Sequence, residues 1–151
     1  MANIEKIKTD LQKEDKGVWI DFVEGIRLKI ARARNSAYRE LLRQLTEPHR
    51  KDIREGDAEL EFLEDLLRQV RAKTILLDWE NIEDKDDNPI EYSSEQALKF
   101  FNDSELRDFY TFVILESENM ENFKKELIED SEKNLHTSSD GSSTGDDTKV
   151  S

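Results

Sequence analysis

Cysteine is absent from the 151 residues, and histidine occurs only at His49 and His136. Without thiols the chain has no disulfide, thiolate zinc site, iron–sulfur cluster or cysteine nucleophile. The two histidines stand far apart, which leaves no histidine pair at metal-ligand spacing and no expectation of a Ser-His-Asp set. No apolar run approaches the roughly 20 residues of a membrane-spanning helix. The start, Met1-Ala2-Asn3-Ile4-Glu5-Lys6, carries no hydrophobic signal stretch, so residence in a cytoplasm is expected. None of the five glycines pairs with another at phosphate-loop spacing beside a strand-to-helix junction. No base, nucleophile or metal cluster rises above the carboxylate background, so the expectation is a non-enzyme with no cofactor, no metal and no catalytic residues.

Charge is what the chain has in abundance. Charged residues make up 39% and hydrophobic ones 35%, with a net charge of -13, so the apolar residues must be spent on one core. Such acidity argues against nucleic acid, which needs clustered Lys and Arg. The distribution is uneven. Residues 27 to 54 hold nine bases against three acids, whereas residues 55 to 151 hold 10 bases against 27 acids. An electrically polarised chain suits head-to-tail self-association or docking on a charged protein, and equally an attraction between its own halves.

The patterning gives an α+β fold that is predominantly α-helical: an N-terminal β-hairpin packed on a bundle of about five helices, followed by a disordered tail. Residues 1 to 16 read as a flexible arm, 17 to 130 as a single domain, and 131 to 151 as the Ser/Gly/Asp-rich tail, too polar to offset the entropy of ordering. Val18, Ile20 and Phe22 alternate with polar neighbours, Glu24-Gly25 turns the chain, and Ile26, Leu28 and Ile30 alternate on the return. Asn35 caps a helix that ends near Thr46, and Pro48 opens a shorter one that stops at Gly56. Asp57 is the expected cap of the longest helix, whose Leu60, Leu63, Leu67, Val70, Thr74 and Leu77 form a narrow stripe suited to a bundle seam or to a helix pair between subunits. Beyond the acidic loop and a brief extended piece at Ile90-Glu91-Tyr92, Ser93 opens a capping box with Gln96. A last helix carries Leu106, Phe109, Tyr110, Val113 and Ile114 inward, and Phe123, Leu127 and Ile128 close the apolar pattern.

Asp84, Asp86, Asn88 and Glu95 occupy the first, third, fifth and twelfth positions of a calcium loop, read as lying between two helical segments. Pro89 stands where such a loop needs glycine and Glu91 where it needs an apolar residue, so an acidic surface turn is expected. Arg39, Arg43, Arg50 and Arg54 would line one face only if their helices were collinear, which Pro48 opposes. The run Phe109-Tyr110-Thr111-Phe112 cannot turn all its rings one way on a helix, so at least one ring is left for solvent or a partner.

A set of motifs in a fixed order supports a comparison. Val18-Trp19-Ile20 with Ile30-Ala31-Arg32-Ala33, then Asn35-Ser36-Ala37-Tyr38, Thr74-Ile75-Leu76-Leu77-Asp78-Trp79, Asn88-Pro89-Ile90-Glu91-Tyr92-Ser93 and Leu106-Arg107-Asp108-Phe109 together resemble the tail assembly chaperones of long-tailed bacteriophages and prophages. The resemblance spans about residues 17 to 125. It departs at Asp87-Asn88, where relatives tend to carry Asp-Gly. It implies a non-enzymatic protein of the host bacterial cytoplasm, absent from the mature virion. Such a protein binds the long helical tape measure protein, keeps it soluble and helps tail tube protein assemble around it. It also implies a homo-oligomer, while hydropathy and acidity give the expectation of no membrane and no nucleic-acid partner. Capture of a helix in a groove would place Leu106, Phe109, Tyr110, Phe112 and Val113 at the partner. The alternative from another class is an acidic phage-encoded inhibitor or DNA mimic that occupies a host or phage protein.

Overall fold

Glycines at both ends of the first strand shape the N-terminal hairpin in the computed structural model, which describes residues 1–126. Gly17 enters it at φ +82°, and a Cβ there would stand 3.2 Å from the carbonyl carbon and oxygen of Ile30. Glu24 and Gly25 both take positive φ in the turn. Strand β1 (Val18–Asp21) pairs antiparallel with β2 (Arg27–Ile30), Val18 opposite Ile30 and Asp21 opposite Arg27. The alternation does its work. Leu28 and Ile30 are fully buried, while Arg27 on the other face bridges Asp21 and Glu80 and lies over the Trp19 ring at 5.3 Å.

A third strand corrects the expectation that the long helix runs through Leu77. That helix, α4 (Leu60–Thr74), stops before Ile75, and Leu76–Glu80 forms β3, antiparallel to β2 in a sheet of order β1-β2-β3. Register shifts between Lys29 and Ile30, so Leu77 falls in a bulge between Leu76 and Asp78 and the two-residue alternation is interrupted. The expected cap is also displaced. Glu59 holds the N-cap position of α4 without a side-chain bond, and the Asp57 amide donates to Asp52 instead.

The other helices are α1 (Leu11–Lys16), α2 (Ser36–Thr46), α3 (Arg50–Arg54), α5 (Ser94–Asn102) and α6 (Arg107–Glu118). Asn35 caps α2 by accepting from the Tyr38 amide, and Ser93 caps α5 by accepting from the Gln96 amide. A 3-10 turn at Glu47–His49 separates α2 from α3, and Gly56 follows α3 at φ +78°. The core joins the sheet's inner face (Leu28, Ile30, Leu76, Trp79) to Val70, Ile75, Phe101, Phe109 and Val113 from the helices. Trp79 locks the loop after β3 by donating its indole N–H to the Ile90 carbonyl at 2.7 Å, and its ring stacks on Phe100.

Residues Leu11–Phe123 form one compact unit, and the segment read as an arm divides at Asp10. Within that unit the Glu14 carboxylate pairs with Arg32 at 3.0 Å and Asp15 accepts from the Ser36 hydroxyl. Met1–Asp10 and residues 124–126 belong to a second unit. There a 3-10 turn spans Ile4–Ile7, Thr9 bridges Lys124, and Lys8 pairs with Glu5, holding that carboxyl below its usual range. The segment 131–151 expected as a tail, with Leu127 and Ile128, lies outside the described residues.

Candidate functional site

Helix α6 decides where the aromatic run points. Asp103 starts the approach by accepting from the Glu105 amide, which sets the 3-10 turn Ser104–Leu106 on which α6 begins. At about 100° per residue, Phe109 and Val113 share the inward face with Ser117, and all three are buried. Phe109 is a hub, its ring centroid 5.9 Å from Phe22, 5.8 Å from Phe100 and 6.1 Å from Phe101. Leu106 is half-buried at the entry.

Tyr110 and Phe112 are two residues apart and so face opposite flanks of α6. Tyr110 lies 4.6 Å from Phe101, and its phenol oxygen accepts a 2.8 Å hydrogen bond from Arg71. It lines a groove of about 520 Å³ whose walls are α4, the end of α5 and α6, floored by Leu67, Phe101 and Ile114. Phe112 instead meets Phe22 of the hairpin at 4.6 Å. Val23, next in the chain to Phe22, is 53% exposed, and Leu115, one turn beyond Phe112, is 59% exposed. The five residues named from the sequence therefore occupy four places: Phe109 and Val113 in the core, Tyr110 in the groove, Phe112 on the hairpin side, and Leu106 at the start of the helix. Val23 and Leu115 escaped the sequence reading because each stands off its element's apolar period, Val23 after the Val18, Ile20, Phe22 alternation and Leu115 away from the Phe109–Val113 stripe.

Four arginines are half-buried: Arg27, Arg32, Arg68 and Arg71. The first three each reach a carboxylate, Arg68 that of Asp65, while its Nε donates to Asn102 at 2.8 Å. Arg71 has only the neutral phenol of Tyr110 among the described residues. The basic strip Arg39, Arg43, Arg50 and Arg54 is broken by the turn at Glu47–His49. Arg43 bridges Glu40 at 2.7 Å, lowering that carboxyl, and Arg50 bridges Glu47.

The acidic loop joins a strand to a helix and not two helices, because β3 precedes it. Its geometry is that of a turn. One Asp84 carboxylate oxygen accepts from the backbone amides of Asp86 and Asn88, which lowers the Asp84 pKa, and Asp87 takes a positive φ. Among the described residues no three His, Cys, Asp or Glu side chains gather as a metal would require, and no helix is long and apolar enough to cross a membrane.

Residues 33–134 match the protein family described as YdaY prophage protein, a span of about two thirds of the chain that takes in every helix from α2 to α6 together with β3. No curated protein and no solved structure matches the chain.

Proposed function

The chain belongs to the YdaY prophage protein family, and on that premise we propose that it is a tail assembly chaperone, binding the tape measure protein and holding it soluble while tail tube protein gathers around it. It acts as a binding protein in the host bacterial cytoplasm, without catalysis and without entering the virion. The prophage family supports the phage setting, and the ordered motifs from Val18 to Phe109 support the finer role.

The observation that carries the mechanism is the surface around Phe112. Phe22 and Phe112 stand against each other half-buried, Val23 follows Phe22 in the chain and Leu115 stands one turn beyond Phe112, both exposed, and we read these four as one apolar strip on a highly charged molecule. An amphipathic helix of the tape measure protein would lay its leucine stripe on this strip. Each leucine so covered contributes roughly 1.5–3 kcal/mol, and the charge of -13 keeps the complex soluble while the stripe is hidden.

Co-purification tests this. Native chain co-expressed with the tape measure protein of the same prophage is expected to elute with it at both low and high salt, whereas Val23→Asp with Leu115→Asp is expected to lose it while melting like the native chain. A complex indifferent to both substitutions would reject this surface. A complex dissolved by modest salt would favour the acidic-mimic reading, whose contacts are charged.

A further inference from the structure

Glu64 and Arg71 face the same groove from one helix, seven residues apart and so about 10 Å apart along the axis of α4, too far to pair with each other. Glu64 is exposed and has no hydrogen bond or ion pair among the described residues, and Arg71 has only the Tyr110 phenol. Between them sits Leu67, and one turn before Glu64 the side chain of Leu60 is 71% exposed. Leu60, Glu64, Leu67 and Arg71 thus recur at four, three and four residues, the spacing of a helix-pairing seam.

We propose that this groove seats a second copy of the same chain, with the two α4 helices antiparallel about a twofold axis near Leu67. An antiparallel apposition brings each Glu64 to the other copy's Arg71, so two unpaired charges per copy become two interchain pairs. It also carries each Leu60 toward the Arg71 end of the opposite groove, where Ile114 offers half-buried apolar surface. A self-complementary patch of this kind is what a twofold interface demands. Other occupants fit the charges less well. A wholly apolar helix would cover Glu64 and Arg71 and leave both without partners, and an acidic helix would satisfy Arg71 while meeting Glu64 with like charge. The surface around Phe112 lies on the opposite flank of α6, so the inference stands whichever partner that surface takes.

Charge reversal on the full chain tests it. Sedimentation equilibrium of the native chain is expected to show a dimer that dissociates on dilution, and Glu64→Arg or Arg71→Glu alone is expected to give monomer, since like charges then face each other. Mixing the two variants is expected to restore a dimer, now of one copy of each, at least tenfold tighter than either variant forms alone. Circular dichroism melts check folding. Where Arg71→Glu melts early, Glu64→Gln and Arg71→Gln carry the test: each weakens the dimer about tenfold, and the doubly substituted chain weakens it no further. A native chain that stays monomeric at high micromolar concentration, a mixture that stays monomeric, or neutral substitutions whose effects simply add would each overturn the proposal.

Discussion

One side chain, Asn35, ties three parts of the domain together. Its Nδ2 donates to the Arg32 and Thr74 carbonyls at 2.9 and 3.0 Å, and its Oδ1 accepts from the Tyr38 amide. It is 6% exposed, so water cannot replace those bonds. Asn35→Ala is therefore expected to lower stability by about 2–3 kcal/mol, combining a lost helix cap with stranded buried groups. Urea unfolding measures it, and a loss below about 0.5 kcal/mol would contradict the bonding described. Tyr92 makes a prediction about pH. Its hydroxyl donates to the Leu76 carbonyl at 2.6 Å, and burial, followed by the charge of Asp78, pushes the phenol up to about 12. An unfolded tyrosine ionises near pH 10. Between those values the unfolded chain releases a proton that the folded one keeps, so Tyr92's contribution is whole below pH 10 and is lost as pH climbs toward 12. Thermal melts of the native chain are expected to fall more steeply across that window than those of Tyr92→Phe. Parallel curves would refute the assignment.

At the level of elements, legibility followed period. The hairpin was readable because Ile20, Leu28 and Ile30 alternate cleanly around a Glu24-Gly25 turn, and helices α2 and α5 were readable from Asn35 and from the Ser93–Gln96 box. Strand β3 was hidden for a physical reason. Val70, Thr74 and Leu77 continue a helical spacing, while the bulge at Leu77 spoils the alternation that would have announced a strand. Gly17 shows how tightly the hairpin is closed. Gly17→Ala would force a positive φ and press a methyl on the Ile30 backbone and the Leu77 side chain, costing about 2 kcal/mol, whereas Gly25→Ala, with nothing within 4 Å, is expected to cost about 1 kcal/mol from φ alone. Equal losses in chemical unfolding would deny the close approach. On α6 the sequence drew attention to the aromatic run but not to how the fold divides it. Sequence spacing puts Tyr110 and Phe112 on opposite flanks, but which flank meets which neighbour depends on the hairpin and α4. Phe109→Ala should cost about 3–5 kcal/mol as a core truncation, with Phe112→Ala costing less than half of that in the same unfolding experiment while still weakening partner capture. A larger loss at Phe112 would move the core.

At the scale of the whole molecule, the charge balance of the sequence foretold a highly charged surface, and the structure shows how the bases are spent. Arg27, Arg32, Arg43 and Arg50, four of the nine bases between residues 27 and 54, each hold a carboxylate within the domain, as does Arg68 on α4. Among the charges without an ion pair, Arg71 and Glu64 face one groove, and on the other flank of α6 Phe112 is half-buried with Leu115 exposed one turn beyond it. Neither was visible from composition, because both depend on which residues the fold leaves without neighbours. The prophage family supplies the setting in which a small acidic protein with two such surfaces makes sense. The most direct measurement is the soluble fraction of the tape measure protein made alone, with the native chain, and with the Val23→Asp, Leu115→Asp chain. The account predicts aggregation alone, solubility with the native chain, and aggregation again with the variant. A tape measure protein equally soluble, or equally aggregated, in all three would contradict it.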